Sequence, residues 1–93
     1  DGKIDINEKA VPALREQGGS LLAVGVTGCR GMFGAGEIID ICDPTGTVIA
    51  RGKASFGAED VPRIAGLNTP EIKKIFPHRR RLEVVHRNDL VLI

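Results

Sequence analysis

The sequence predicts an α+β fold, a small and mainly antiparallel pseudo-barrel with short flanking helices. Three observations carry that expectation. The element order reads strand, helix, several strands, short helices, strands, which suits an antiparallel sheet with segregated helices. Two strongly β-forming segments flank Asp43-Pro44-Thr45-Gly46, which puts Asp, Pro and Gly at the first, second and fourth places of a type I turn. Finally, so many short strands need their edges protected, and curling into a barrel does that.

Each element has its own justification. Ile4 and Ile6 alternate with polar neighbours, so Lys3–Ile6 reads as a strand. Asn7 is a helix N-cap candidate, and Ala10, Val11 and Leu14 mark one helical face up to Gln17, where Gly18-Gly19 stops it. Pro12 must lie in the first turn, which delays the start of that helix. Across the glycine-dense stretch Ser20–Gly36, Leu21, Leu22, Val24 and Val26 suggest strand. Glu37–Cys42, with Ile38, Ile39 and Ile41, is a second β segment. After the turn, Val48, Ala50, Gly52 and Ala54 fall on one face and Thr47, Arg51 and Lys53 on the other, with Ile49 as the exception. The two segments make a hairpin.

Ala58–Ala65 reads as a short helix interrupted by Pro62 and closed by Gly66. Thr69-Pro70-Glu71 opens a better helix, with Thr69 capping, Pro70 at the first helical position, and Ile72, Ile75 and Phe76 on its apolar face. Pro77 ends it. A basic loop, Arg79-Arg80-Arg81, leads to two short strands, Leu82–Arg87 and Leu90–Ile93, around Asn88-Asp89.

The chain is one domain, residues 1–93, with an expected radius of gyration of about 12 Å. An apolar fraction of 42% and a charged fraction of 27% are those of an ordinary globular protein, which argues against disorder. No run approaches the ~20 apolar residues of a membrane helix, so no membrane partner is expected. The start, Asp1-Gly2-Lys3-Ile4, is neither an initiator Met nor a signal peptide and suggests a piece of a longer chain. Net charge is +1, unevenly spread: residues 1–46 carry four Lys/Arg against seven Asp/Glu, and residues 47–93 carry nine against five. Such asymmetry can mark a nucleic-acid-facing surface or simply a solvated one.

Chemistry is sparse. Cys29 and Cys42 lack zinc-type spacing and read as small buried hydrophobes, a disulfide being the alternative, and two reduced thiols fit a cytoplasmic protein. Gly34-Ala35-Gly36 runs into a strand rather than a helix, so it is no dinucleotide fingerprint, and no phosphate-binding P-loop is present. His86, near Glu83, Arg87 and Asp89, shows neither the positioned partner nor the pocket that acid–base catalysis needs. No catalytic, cofactor-binding or metal-ligating residue is expected, and a binding or accessory module is favoured over a self-sufficient enzyme. With three Phe and no Tyr or Trp, platforms for stacking bases are scarce.

The pattern goes further than the physics. Gly19-Ser20-Leu21-Leu22-Ala23-Val24-Gly25-Val26-Thr27-Gly28, then Gly31-Met32-Phe33-Gly34-Ala35-Gly36-Glu37 and Ala50-Arg51-Gly52, resemble a PUA domain, the module named for pseudouridine synthases and archaeosine transglycosylases. Ile64-Ala65-Gly66 with Glu71-Ile72, and the ending Glu83-Val84-Val85-His86-Arg87-Asn88-Asp89-Leu90-Val91-Leu92, are similar to the C-terminal PUA domain of bacterial glutamate 5-kinases. The match runs from about Lys3 to Ile93. The sequence departs from those kinases at Ala35 and Glu37, commonly Arg and Asp, at Ser55-Phe56-Gly57 in place of Asn-Tyr-Ser, and at the inverted pair Asn88-Asp89. These changes remove a cation and a stacking ring from places where RNA contact would be inherited, while Phe56 keeps most of the ring's packing.

The resemblance implies a parent enzyme that phosphorylates the γ-carboxylate of glutamate with ATP and Mg²⁺, the first step of proline synthesis, from a kinase domain upstream of this segment. The parent is expected to be a homo-oligomer. This segment would hold no ATP or Mg²⁺ and have no kinase activity of its own. It would serve as a regulatory and structural appendage, with the kinase domain of the same chain as its partner. The alternative is a working RNA-binding module for structured, tRNA-like RNA, one version being the PUA domain of an RNA-modifying enzyme. For that reading the candidate contacts are Arg30, Arg51, Lys53, Arg79, Arg80, Arg81, His86 and Arg87.

Overall fold

The computed structural model describes residues 2–93, so Asp1 lies outside the described residues. Five strands form one sheet: β1 Lys3–Ile6, β2 Val26–Arg30, β3 Ile38–Cys42, β4 Val48–Lys53 and β5 Leu90–Leu92. Their spatial order is β2-β1-β3-β4-β5. All neighbouring pairs are antiparallel except β1 and β3, which run parallel. The sheet stays open along β2 and β5. Across the open side, an isolated antiparallel bridge joins Leu21 to Val85, with Leu21 N–H donating to the Val85 carbonyl at 2.8 Å.

Three helices accompany the sheet: α1 Ala10–Gln17, the single turn α2 Val61–Ile64, and α3 Thr69–Ile75. Pro12 sits in the first turn of α1, where its missing N–H costs nothing. Asn7 Oδ1 accepts from the Ala10 amide at 2.9 Å, a cap reaching from just before the helix. Gly18 ends α1 at φ +59°, a left-handed conformation that a residue with a Cβ adopts only at a cost. α3 is capped one residue earlier than the sequence suggests. Asn68, not Thr69, accepts from the Glu71 amide at 3.0 Å, and the Glu71 carboxylate accepts in return from the Asn68 N–H.

The core lies between the inner sheet face and these helices. Ile4, Ile6, Ile39, Ile41 and Ile49 from the sheet meet Leu14, Phe56, Val61, Ile64, Ile72, Val84 and Val85, all buried. The radius of gyration is 11.7 Å, matching the size expected of a domain this long.

Two segments depart from the sequence reading. Leu21–Gly25 is not a strand: Leu21 makes only the lone bridge, Ala23–Gly25 is a 3₁₀ turn, and β2 starts at Val26. Gly25 explains the placement, because a Cβ there would lie 2.8 Å from the Ala10 Cβ. The backbone must press against α1 at this point and cannot pair as a strand. Likewise Leu82–Arg87 is not a strand: Val85 makes a lone bridge to Leu21, Val84 bonds to Leu21 and Ser55, and Arg87–Asp89 forms a 3₁₀ turn. The hairpin stands as expected, with Gly46 N–H donating to the Asp43 carbonyl at 2.9 Å and Gly46 at φ +89°. Ile49 stands out from the alternation because the register slips there: Cys42 pairs with Val48 but Ile41 pairs with Ala50. The extra residue forms a bulge, and Ile49 and Ala50 are both buried.

Candidate functional site

The outer face of the sheet is built by strand pairing. Lys3 lies opposite both Arg30 and Asp40, Asp40 opposite Arg51, and Arg51 opposite Val91. One row of residues, Arg30-Lys3-Asp40-Arg51-Val91, therefore crosses all five strands. Asp5, one step along β1 on the same face, pairs with Gly28, whose missing side chain leaves open space. Arg30 reaches diagonally across that gap and grips Asp5 with two bonds, Nε to Oδ2 at 3.1 Å and a terminal nitrogen to Oδ1 at 2.7 Å. The carboxylate at this position raises the pKa of the Arg30 guanidinium further. Arg51 donates from Nε to Asp40 Oδ1 at 2.7 Å. Cys42, beneath this layer, is buried and its thiol pKa is pushed up, chiefly by desolvation.

The basic loop divides into three different environments. Arg79 is not a free cation: its guanidinium carbon lies 3.9 Å from the Phe56 ring centroid and 5.9 Å from that of Phe76. The same guanidinium donates to the Ser55 carbonyl. The Arg63 guanidinium carbon lies 5.1 Å from the Phe76 ring centroid, and the two rings meet edge to face at 5.4 Å. Arg81 pairs with Asp89 at 3.4 Å. Arg80 is exposed and, among the described residues, has no carboxylate partner.

The remaining candidates lie near the chain's last strand. His86 Nδ1 accepts from the Asn88 amide at 3.2 Å, so the imidazole caps the 3₁₀ turn before β5. The Arg87 side chain is exposed, while its backbone N–H donates to Ser20 Oγ at 2.9 Å. Lys53 is exposed at the end of β4 and, like Arg87, has no carboxylate partner among the described residues. The eight candidates thus do not converge. Arg30 and Arg51 share the sheet's outer face, each neutralised by an aspartate. Arg79 belongs to an aromatic stack, and the rest are dispersed.

The sequence reading missed the Asp5 and Asp40 partners. Asp5 and Arg30 are brought together only by the β1–β2 register. Counting back through a simple tight hairpin would place Asp40 opposite Ile49, and the Gly46 turn and the Ile49 bulge shift it to Arg51. Clefts also mark the surface. An open cleft of about 920 Å³ lies between Asn7, Thr27, Arg30 and the Asp43–Gly46 turn. At its edge Asp43 Oδ1 accepts from the Thr45 hydroxyl and from the Thr45 and Thr47 amides, and these bonds lower its pKa, the hydroxyl most. An apolar groove of about 260 Å³ runs between α1 and Leu21–Gly25. No cluster of three or more metal-ligating side chains occurs among the described residues.

An open, mainly antiparallel five-stranded sheet with a glycine-dense segment between α1 and β3 defines a class of small modules. The family model for the PUA domain matches residues 2–76, and the chain belongs to that family. A solved PUA domain from Aeropyrum pernix, crystallised as a tartrate complex, superposes over 92% of this chain with a TM-score of 0.66 at 23% identity, a likeness of fold alone. A conserved PUA domain protein from Thermoplasma acidophilum superposes over 66% of this chain, with a TM-score of 0.59 and 26% identity. These two matches cover 41% and 40% of their own chains.

More particularly, the chain aligns with glutamate 5-kinases. That of Anaeromyxobacter dehalogenans is 45% identical over 92 residues, which is 99% of this chain and 24% of the relative. That of Vibrio vulnificus is 42% identical over the same shares, and that of a Synechococcus strain 40% identical over 100% and 25%. The chain spans about a quarter of the length of the curated relatives it matches.

Proposed function

We propose that this chain is the accessory PUA module of a glutamate 5-kinase, regulatory and structural rather than catalytic. One observation carries the reading: glutamate 5-kinases match the chain from end to end, while it accounts for only 24–25% of their length. The parent reaction transfers the γ-phosphoryl group of ATP to the γ-carboxylate of glutamate with Mg²⁺, and binding those groups falls to the kinase part. The described residues support this division. The core is packed with aliphatic side chains, the clefts are open to solvent, and three of the four ion pairs engage residues named as candidate contacts.

The test compares the full kinase with and without this segment. Loss of the segment is expected to preserve turnover at saturating Mg²⁺ and to alter the Mg²⁺ requirement and the response to proline. The segment alone should yield no acyl phosphate, read as hydroxamate after trapping with hydroxylamine. Acyl phosphate from the segment alone would sink the proposal, and so would unchanged Mg²⁺ and proline responses after its removal.

A second reading, binding of structured RNA, is favoured by Lys53, Arg80 and Arg87, which are exposed and free of carboxylates among the described residues. End-labelled bulk tRNA at two salt concentrations tests it. Submicromolar, salt-steep binding lost on charge reversal of those three residues would establish the RNA reading.

A further inference from the structure

We propose that the free edge of β5 is a self-association surface, where two copies of this chain pair antiparallel about a two-fold axis at Leu92. Hydrogen-bond parity along β5 decides which of its residues face outward. Ile93 N–H donates to the Ile49 carbonyl at 3.0 Å, and the register places Arg51 opposite Val91 and Ala50 opposite Leu92. In an antiparallel ladder, hydrogen-bonded and non-hydrogen-bonded pairs alternate. Ile93 and Val91 therefore spend their backbone groups on β4, while Leu92 turns its N–H and C=O outward. Leu90 faces the same way, but its N–H is already given to the Arg87 carbonyl. Among the described residues, nothing bonds to Leu92 from the open side.

One donor and one acceptor on a single residue are self-complementary. A second copy rotated by 180° about Leu92 gives both bonds at once, each Leu92 N–H donating to the other's carbonyl. That register then sets Val91 of one copy beside Ile93 of the other, twice, in the close non-hydrogen-bonded arrangement. These are the two most exposed residues of the segment, at 66% and 65%, with Leu92 at 43%. The side chains of residues 90–93 carry no charge, so pairing two identical strands brings no like side-chain charges into line. Natural edges are commonly guarded by Lys, Pro, a bulge or shortness; β5 has none of the first three, and its three-residue length is what keeps the pairing weak. The net charge of +1 adds little repulsion between copies.

Four residues a side make a small interface, well under the ~1,000 Å² of a stable complex, so the expected dissociation constant is on the order of 0.1–1 mM. It becomes appreciable where two copies are held near each other, since short tethers give effective concentrations around millimolar.

The test is sedimentation equilibrium of this chain from about 20 μM to 2 mM, with amide exchange by NMR on the same samples. The expected result is a rising average mass, with the Leu92 amide becoming at least severalfold slower to exchange while the Val91 amide, already bonded within the sheet, does not change. V91K and I93E, both at exposed positions, should each lower association about tenfold. Their equimolar mixture should restore it, because the introduced ammonium then meets the introduced carboxylate across the axis. A monomer throughout the range, association untouched by either variant, or a mixture no better than its components would each overturn the proposal.

Discussion

The guanidinium carbon of Arg79 lies 3.9 Å from the centroid of the Phe56 ring, the distance of a stacked cation–π contact. Phe56 is fully buried, so this arginine closes the core rather than advertising charge to a partner. It also ties the loop after α3 to the end of β4 through the Ser55 carbonyl. Arg79→Ala is expected to cost about 1–2 kcal/mol, from the ring contact and the hydrogen bond together. In a domain of this size that lowers Tm by roughly 5–10 °C. The neighbouring Arg80→Ala should change stability by no more than about 0.5 kcal/mol. Thermal denaturation of the two variants side by side decides the point.

Two strand glycines should respond oppositely to alanine. A Cβ on Gly52 would lie 2.6 Å from Val85 Cγ1 and 2.8 Å from the Asp89 carbonyl oxygen, the latter being backbone that cannot swing aside. Gly52→Ala is expected to cost about 1–3 kcal/mol through overpacking. A Cβ on Gly28 would meet nothing within 4 Å. Gly28→Ala is therefore expected to be neutral or to stabilise by about 0.4–1 kcal/mol, by restricting the unfolded chain. Urea midpoints with unchanged m-values would confirm both signs.

The Asp43 carboxylate gives the hairpin a pH dependence of definite sign. Its pKa is lowered from 3.8, chiefly by the Thr45 hydroxyl, with the Thr47 and Thr45 amides also donating. A depressed carboxylate pKa contributes stability above its unfolded value and loses it as pH falls through the folded one. Asp43→Asn should therefore be less stable than the parent chain at pH 7 and lose less on going to pH 2–3. Urea titrations at the two pH values read this difference.

RNA affinity is expected to be weak. Arg30, Arg51 and Arg81 sit in ion pairs and Arg79 in an aromatic stack, so half of the eight candidate contacts would have to give up a partner to hold phosphate. Labelled tRNA should bind with a dissociation constant no tighter than about 10 μM at physiological salt, within the range of non-specific association. A gel-shift or filter-binding isotherm in the nanomolar range would contradict this.

How far the fold could be read from the sequence depended on whether the signal was local. The β1 alternation, the Asp43–Gly46 turn and the helix stop at Gly18-Gly19 are each written within a few residues, and each appears where expected. Leu21–Gly25 misled because a 3₁₀ turn against α1 buries Leu21 and Ala23 while leaving Leu22 and Val24 exposed, a placement set by the Ala10 contact with Gly25 from an earlier element. The candidate site was less legible. Counting cations identified the arginines, but their partners depend on strand register and a one-residue bulge, which composition does not encode. Three consecutive arginines also look alike as letters, whereas Phe56, solvent and Asp89 give them three different roles.

The strand order has a mechanical consequence. β1 runs parallel to β3, β3 antiparallel to β4, and β4 antiparallel to β5, so β1 and β5 point the same way. The chain thus enters the sheet at one end, through Lys3, and leaves at the other, through Leu92. Tension between those two points slides the strands lengthwise and loads the β1–β3 bonds together in shear, rather than peeling them one at a time. Placed in series between other masses, the domain transmits pull as a stiff strut, and its weakest element under load is the three-residue strand at the exit.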